Sequence, residues 1–119
     1  MCVDVVAQID GFFAGKPREW ALFEALRARV RECYPQSALR VMKTCISFDD
    51  PKPYLYVSFP PRKRYGGLWL SISLREAAAH PRFEMVVPVS KTRCTAHIHL
   101  REEAEIDDEL LALIASSHR

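Results

Sequence analysis

Apolar positions along this chain change period near residue 40. Val3, Val6, Ile9, Phe12 and Phe13 recur at spacings of three and four, which predicts a helix over about 3–13 with one apolar stripe. Gly15 can close that helix. Pro17, whose fixed φ and missing N–H suit a first helical turn, opens a second helix over 17–33. Its apolar face reads as Trp20, Phe23, Leu26, Val30 and Cys33, and Tyr34-Pro35 ends it.

From there to residue 100 the period is two, which predicts five strands at about 40–48, 54–59, 67–74, 83–88 and 93–100. The connections 49–53 and 60–64 are short and turn-rich, so successive strands should pair antiparallel as a meander. Between the third and fourth strands, Glu76-Ala77-Ala78-Ala79 fits one helical turn. Acidic residues from Glu102 to Glu109 precede Leu110, Leu111, Leu113 and Ile114, predicting a closing helix over about 104–117 whose first turns carry the charge its dipole favours. The expected fold is a single α+β domain over 1–119: an antiparallel five-stranded meander with two N-terminal helices and one C-terminal helix on one face.

Strand alternation sorts residues into two faces. One parity holds Met42, Thr44, Ile46 and Phe48; Leu55, Val57 and Phe59; Leu68, Leu70, Ile72 and Leu74; Phe83, Met85 and Val87; Cys94, Ala96, Ile98 and Leu100. Being almost purely apolar, it is the expected core side. The other parity holds Lys43, Cys45 and Ser47; Tyr54, Tyr56 and Ser58; Trp69, Ser71 and Ser73; Glu84 and Val86; Arg93, Thr95, His97 and His99.

Composition narrows the class more than the activity. A chain of 119 residues with 49% hydrophobic and 27% charged residues is an ordinary globular domain that needs no disulfide or metal to fold. Cys2, Cys33, Cys45 and Cys94 form no CxxC pair, against both a zinc ribbon and a thioredoxin-type site, and are expected as thiols. No apolar run approaches the roughly 20 residues of a membrane span, and Met1-Cys2-Val3-Asp4 does not begin like a signal peptide. The expectation is a cytoplasmic protein without membrane contact. A net charge of +2 does not by itself imply nucleic acid.

The second sheet face carries the candidate chemistry. Tyr54, Tyr56 and Trp69 offer flat apolar area with polar tips, and Lys43, Arg93 and His97 offer donors. That mixture suits a non-catalytic domain binding a small anionic ligand, a peptide, a protein partner or a second copy of the chain. The competing reading is a solvated face stabilised by cross-strand pairs. A runner-up from another class is a small metal-dependent or Cys/His hydrolase: His97 and His99 project to one side and could meet Cys45 or Glu84, or Cys45 and His97 could act as nucleophile and base. The spacing fixes no third metal ligand, so neither a metal nor a cofactor is assigned. The serines lack a Gly-x-Ser-x-Gly setting. Arg62, Lys63 and Arg64, followed by Tyr65 and Gly66-Gly67, offer a weak nucleic-acid contact as a third reading, although three cations neutralise few phosphates.

Several motifs in order resemble a known family. They are Phe13-Ala14-Gly15-Lys16-Pro17 between the helices, Lys43-Thr44-Cys45-Ile46-Ser47-Phe48, Lys52-Pro53-Tyr54, Arg93-Cys94-Thr95-Ala96-His97 and Ile106-Asp107-Asp108-Glu109-Leu110. Together they resemble the bacterial family known as domain of unknown function fifty-six fifty-five over nearly the whole chain. The resemblance implies a tail-end arginine and paired histidines at Arg93, Ala96 and His97; here Ala96 interrupts the pair, and His99 follows two places on. The family is distantly similar to small α/β domains labelled iron chaperones, and some relatives carry the label of predicted transport protein. Neither label names a reaction.

Overall fold

The computed structural model describes residues 5–61, 66–75 and 80–118. Helix α1 spans Val5–Phe12 and α2 spans Pro17–Cys33. Gly15 adopts φ 75, a left-handed conformation that suits glycine, and lets the chain reverse so that Lys16 N donates to Phe13 O at 2.9 Å. Pro17 then occupies the first turn of α2, as its ring geometry predicts. Helix α2 buries Leu22, Phe23, Leu26 and Val30. Trp20 lies roughly 120° around the helix from Leu26 and is exposed, as is Cys33, its last residue, so neither belongs to the core face expected for them.

The described sheet has six strands where five were expected: β1 Ala38–Val41, β2 Ile46–Asp49, β3 Pro53–Ser58, β4 Leu68–Leu74, β5 Met85–Ser90 and β6 Arg93–Leu100. All pairs are antiparallel, in the order β1-β2-β3-β4-β6-β5. The expected first strand over 40–48 is instead the β1–β2 hairpin. Its turn places Met42 N 2.8 Å from Cys45 O, with Lys43 and Thr44 exposed at the tip. The meander also holds only as far as β4. The connection from β4 carries the chain to the sheet edge, where β5 forms, and β6 returns between β5 and β4. The expected helical turn at 76–79 lies outside the described residues.

One sheet face meets the helices, as α3 lies against β3 and β4 and α2 against β4. Ile46, Phe48, Leu55, Val57, Leu68, Leu70, Ile72, Ala96, Ile98 and Leu100 join Ile9, Phe13, Leu22, Phe23, Leu26 and Val30 in one buried cluster. Each fully buried apolar side chain of this size contributes roughly 1.5–3 kcal/mol, so this sorting of faces is the main determinant of the fold. Tyr54 and β5 depart from the expected sorting. Pairing jumps from Phe48↔Leu55 to Asp49↔Pro53, which makes Tyr54 the extra residue of a bulge, and its ring turns into the core at 2% exposure. On β5, Val86 pairs with Ala96 and packs against the core, while Met85 and Val87 are exposed on the other face, the reverse of the expected parity. The strand begins at Met85, so Phe83 and Val86 both reach the core across a break in the period.

The chain closes with a 3-10 turn, Glu103–Glu105, and helix α3, Asp108–His118. Asp107 caps α3 by accepting from Leu110 N at 3.0 Å, and Arg82 donates to the same oxygen at 2.7 Å. These two hydrogen bonds hold the Asp107 carboxyl below its ordinary range. No helix of the described residues is long and apolar enough to cross a membrane.

Candidate binding face

The sheet face away from the helices is ordered by pairing register. One row crosses all six strands: Arg40, Ser47, Tyr56, Ser71, His97 and Met85. A second row joins Ser58, Trp69 and His99, and a third joins Ser73, Thr95 and Val87. Residues paired across neighbouring strands stand side by side, so Tyr56, Ser71 and His97 are consecutive neighbours and Trp69 is next to His97 on the diagonal.

At the centre, Ser71 Oγ and His97 Nδ1 are 2.8 Å apart. The Trp69 ring lies almost parallel to that of His97, with centroids 5.5 Å apart and planes at 22°, and His99 flanks it at 6.0 Å and 51°. His99 is held by the loop ahead of β4: its Nε2 is 2.7 Å from Gly66 O, and a carbonyl only accepts, so Nε2 carries the proton. Burial pushes the His97 imidazole below its ordinary value of 6.5, which leaves it neutral at pH 7. At the β1–β2 end, Arg40 pairs with Asp49 at 3.2 Å, and Asp49 accepts from Ser47 Oγ at 2.5 Å.

Of the residues expected on this face, Tyr56, Trp69 and His97 come together. Arg93 shares the face, four residues from His97 on β6, where it donates to Ser73 Oγ at 3.3 Å. Lys43 is off the sheet on the β1–β2 turn, and Tyr54 is inside the core. Cys45 is also on that turn, three strand spacings or roughly 14 Å from the line of β6, far outside hydrogen-bond reach of His97. Burial raises the Cys45 thiol, with Arg40 opposing in part, so the environment does not favour a thiolate. Glu84 points its charge at Arg101, 3.9 Å away. Among the described residues no three His, Cys, Asp or Glu side chains gather as metal ligands. Arg62, Lys63 and Arg64 lie outside the described residues.

Two features escaped the sequence reading. Met85 and Val87 extend the face at the β5 edge, and only the parity break after Phe83 places them there. On the helix side, Tyr34 stacks on His118 with centroids 3.9 Å apart, Tyr54 meets both rings edge-on, and His118 Nε2 lies 2.9 Å from Asp50 Oδ2. These residues are far apart in sequence and share no periodic signal.

No curated protein and no solved structure matches the chain. The model of one family, described as Domain of unknown function (DUF5655), matches residues 9–119, and the chain belongs to that family.

Proposed function

We propose that this domain acts by non-catalytic binding, and that its uncovered sheet face docks a protein surface, first of all a second copy of the chain. The observation that supports this is the row Tyr56–Ser71–His97–Met85, which carries rings, a thioether and hydroxyls but no lysine or carboxylate. Centres of protein interfaces are enriched in aromatic residues and Met and depleted of Lys, Asp and Glu.

Size favours a macromolecule over a small ligand. Five gaps of about 4.8 Å between the outer strands and about 3.3 Å per residue along β4 and β6 give a footprint on the order of 600 Å². A stable protein interface covers roughly 800 Å² on each partner, so loops at the rim would supply the remainder. The polar groups suit a self-partner. Serine, threonine and tyrosine hydroxyls and the neutral His97 imidazole both donate and accept, so two copies of the face meet without like-charge repulsion at the centre.

Sedimentation of the full chain from micromolar to near-millimolar concentration tests this. The mass is expected to rise toward that of a dimer. The Tyr56→Ser/Trp69→Ser double variant is expected to stay monomeric while still melting cooperatively. A wild-type chain that remains monomeric at the highest concentration overturns the reading.

A further inference from the structure

Covering the open face with a second copy would change the surroundings of one ionisable group above all. His97 stands inside the row Tyr56–Ser71–His97–Met85 and is half-buried in the single chain. Its contacts within the chain are the Ser71 hydroxyl at 2.8 Å and the Trp69 ring at 5.5 Å. Both tolerate an imidazolium, since a hydroxyl accepts a hydrogen bond and an indole face attracts a cation. They are present whether the face is free or covered, so they cancel in the comparison. The water on the open side is what a partner removes.

The neighbours of His97 do not replace that water. On β3 and β4, Tyr56, Ser71 and Trp69 bring no carboxylate. On the β5 side Met85 is a thioether, and Glu84 just ahead of it has its carboxylate 3.9 Å from Arg101. Along β6, Arg93 is a cation held by Ser73, and His99 is already buried with Nε2 on Gly66 O. Asp49, toward the β1 end, is committed to Arg40 at 3.2 Å. A closed dimer is symmetric, so each copy brings one His97 and one Arg93 to the contact. An imidazolium there loses its hydration without gaining an uncommitted carboxylate.

We propose that self-association through this face is acid-labile, with His97 as the sensor: each copy buries one imidazole in the contact, and protonation of either separates the two. This rests on the sheet-face reading and adds its regulation. Burial already holds the His97 imidazole below its ordinary 6.5 in the single chain, and a second copy buries it further. The separated chains therefore bind more protons than the dimer, so acid favours separation, with the transition below pH 6.5.

Sedimentation of the full chain at about pH 7.5 and about pH 5, which bracket histidine titration, provides the test at constant ionic strength. The wild-type dissociation constant is expected to be at least about tenfold higher at the lower pH; two protons per dimer set a ceiling of about a hundredfold per pH unit. His97→Gln keeps a hydrogen-bonding group beside Ser71 but cannot take the charge. Its ratio of the two constants should fall close to one, whatever its affinity at the higher pH. Circular dichroism at the lower pH checks that each chain is folded. NMR titration of the wild type needs no variant: the His97 midpoint should be lower in a concentrated, dimeric sample than in a dilute one. A dimer whose constant ignores pH, a midpoint unchanged or raised on concentration, or a His97→Gln ratio equal to that of the wild type overturns the switch and leaves the sheet-face reading standing. A chain that is monomeric at both pH values overturns both.

Discussion

The ring of His118, in the last turn of α3, stacks on the ring of Tyr34 just past the end of α2, with centroids 3.9 Å apart and planes at 12°. The same imidazole meets Tyr54 edge-on at 4.9 Å and places Nε2 2.9 Å from Asp50 Oδ2. One side chain thus ties two helices, the β2–β3 turn and strand β3. Each aromatic pair contributes roughly 0.5–1.5 kcal/mol, and the partly exposed hydrogen bond to Asp50 about 1 kcal/mol or less. His118→Ala is therefore expected to lower the unfolding free energy in urea by about 1–3 kcal/mol. A loss under about 0.5 kcal/mol would show that the His118 contacts add little to the hold that the buried Leu110 and Ile114 already give α3.

Tyr54 separates ring burial from hydroxyl bonding at one position. Its ring is buried against Phe48, Tyr34 and His118, and its hydroxyl meets Ser37 at 2.6 Å. Burial raises its pKa, and the Ser37 hydrogen bond opposes that shift. Tyr54→Phe keeps the packing and is expected to cost about 1 kcal/mol, whereas Tyr54→Ala opens a cavity and is expected to cost roughly 3–5 kcal/mol. Equal losses in the two variants would mean that the ring carries none of the stability.

Gly67 is fixed by a close approach. It adopts φ 79, and a Cβ there would lie 2.4 Å from Leu100 O. Its N–H donates to Glu19 Oε2 at 2.9 Å, so this loop also joins α2 to the sheet. Gly67→Ala is expected to cost at least about 1–3 kcal/mol, through both the left-handed backbone and the displaced carbonyl. Gly15→Ala supplies the comparison: it shares the positive φ but has open space around its Cβ, so its loss should be smaller. Losses of equal size would assign the whole effect to backbone conformation.

The sequence pattern was most legible where the period ran unbroken. Strands β4 and β6 alternate cleanly from Leu68 to Leu74 and from Arg93 to Leu100, and Pro17 marked the first turn of α2. The β1–β2 hairpin was hidden because Met42-Lys43-Thr44-Cys45 contains no glycine, proline or asparagine and continues the two-residue alternation through the turn. Bulges defeat parity by construction. One extra residue turned Tyr54 inward, and the late start of β5 moved Met85 and Val87 to the open face. Tyr56, Trp69 and His97 were placed together correctly because all three lie on strands without such a break. The cluster around His118 depends on where α3 ends against β3, a distance of more than sixty residues that no local pattern encodes.

His97 links the open face to pH. Burial depresses its pKa below 6.5, so as acid is added the unfolded chain takes up this proton before the folded one does. Stability rises with pH wherever the unfolded state binds more protons. The contribution of His97 is therefore intact above pH 6.5, declines as pH falls toward the depressed folded value, and is constant below it. Because other groups titrate in the same range, the informative quantity is the difference in unfolding free energy between the wild type and His97→Gln. That difference should be flat above neutrality and shift against the wild type on acidification below 6.5. Titration of the His97 imidazole by NMR gives the direct check, with an expected midpoint under 6.5. A midpoint above 6.5 would mean that the folded chain stabilises the imidazolium, and would reverse the sign of the stability difference.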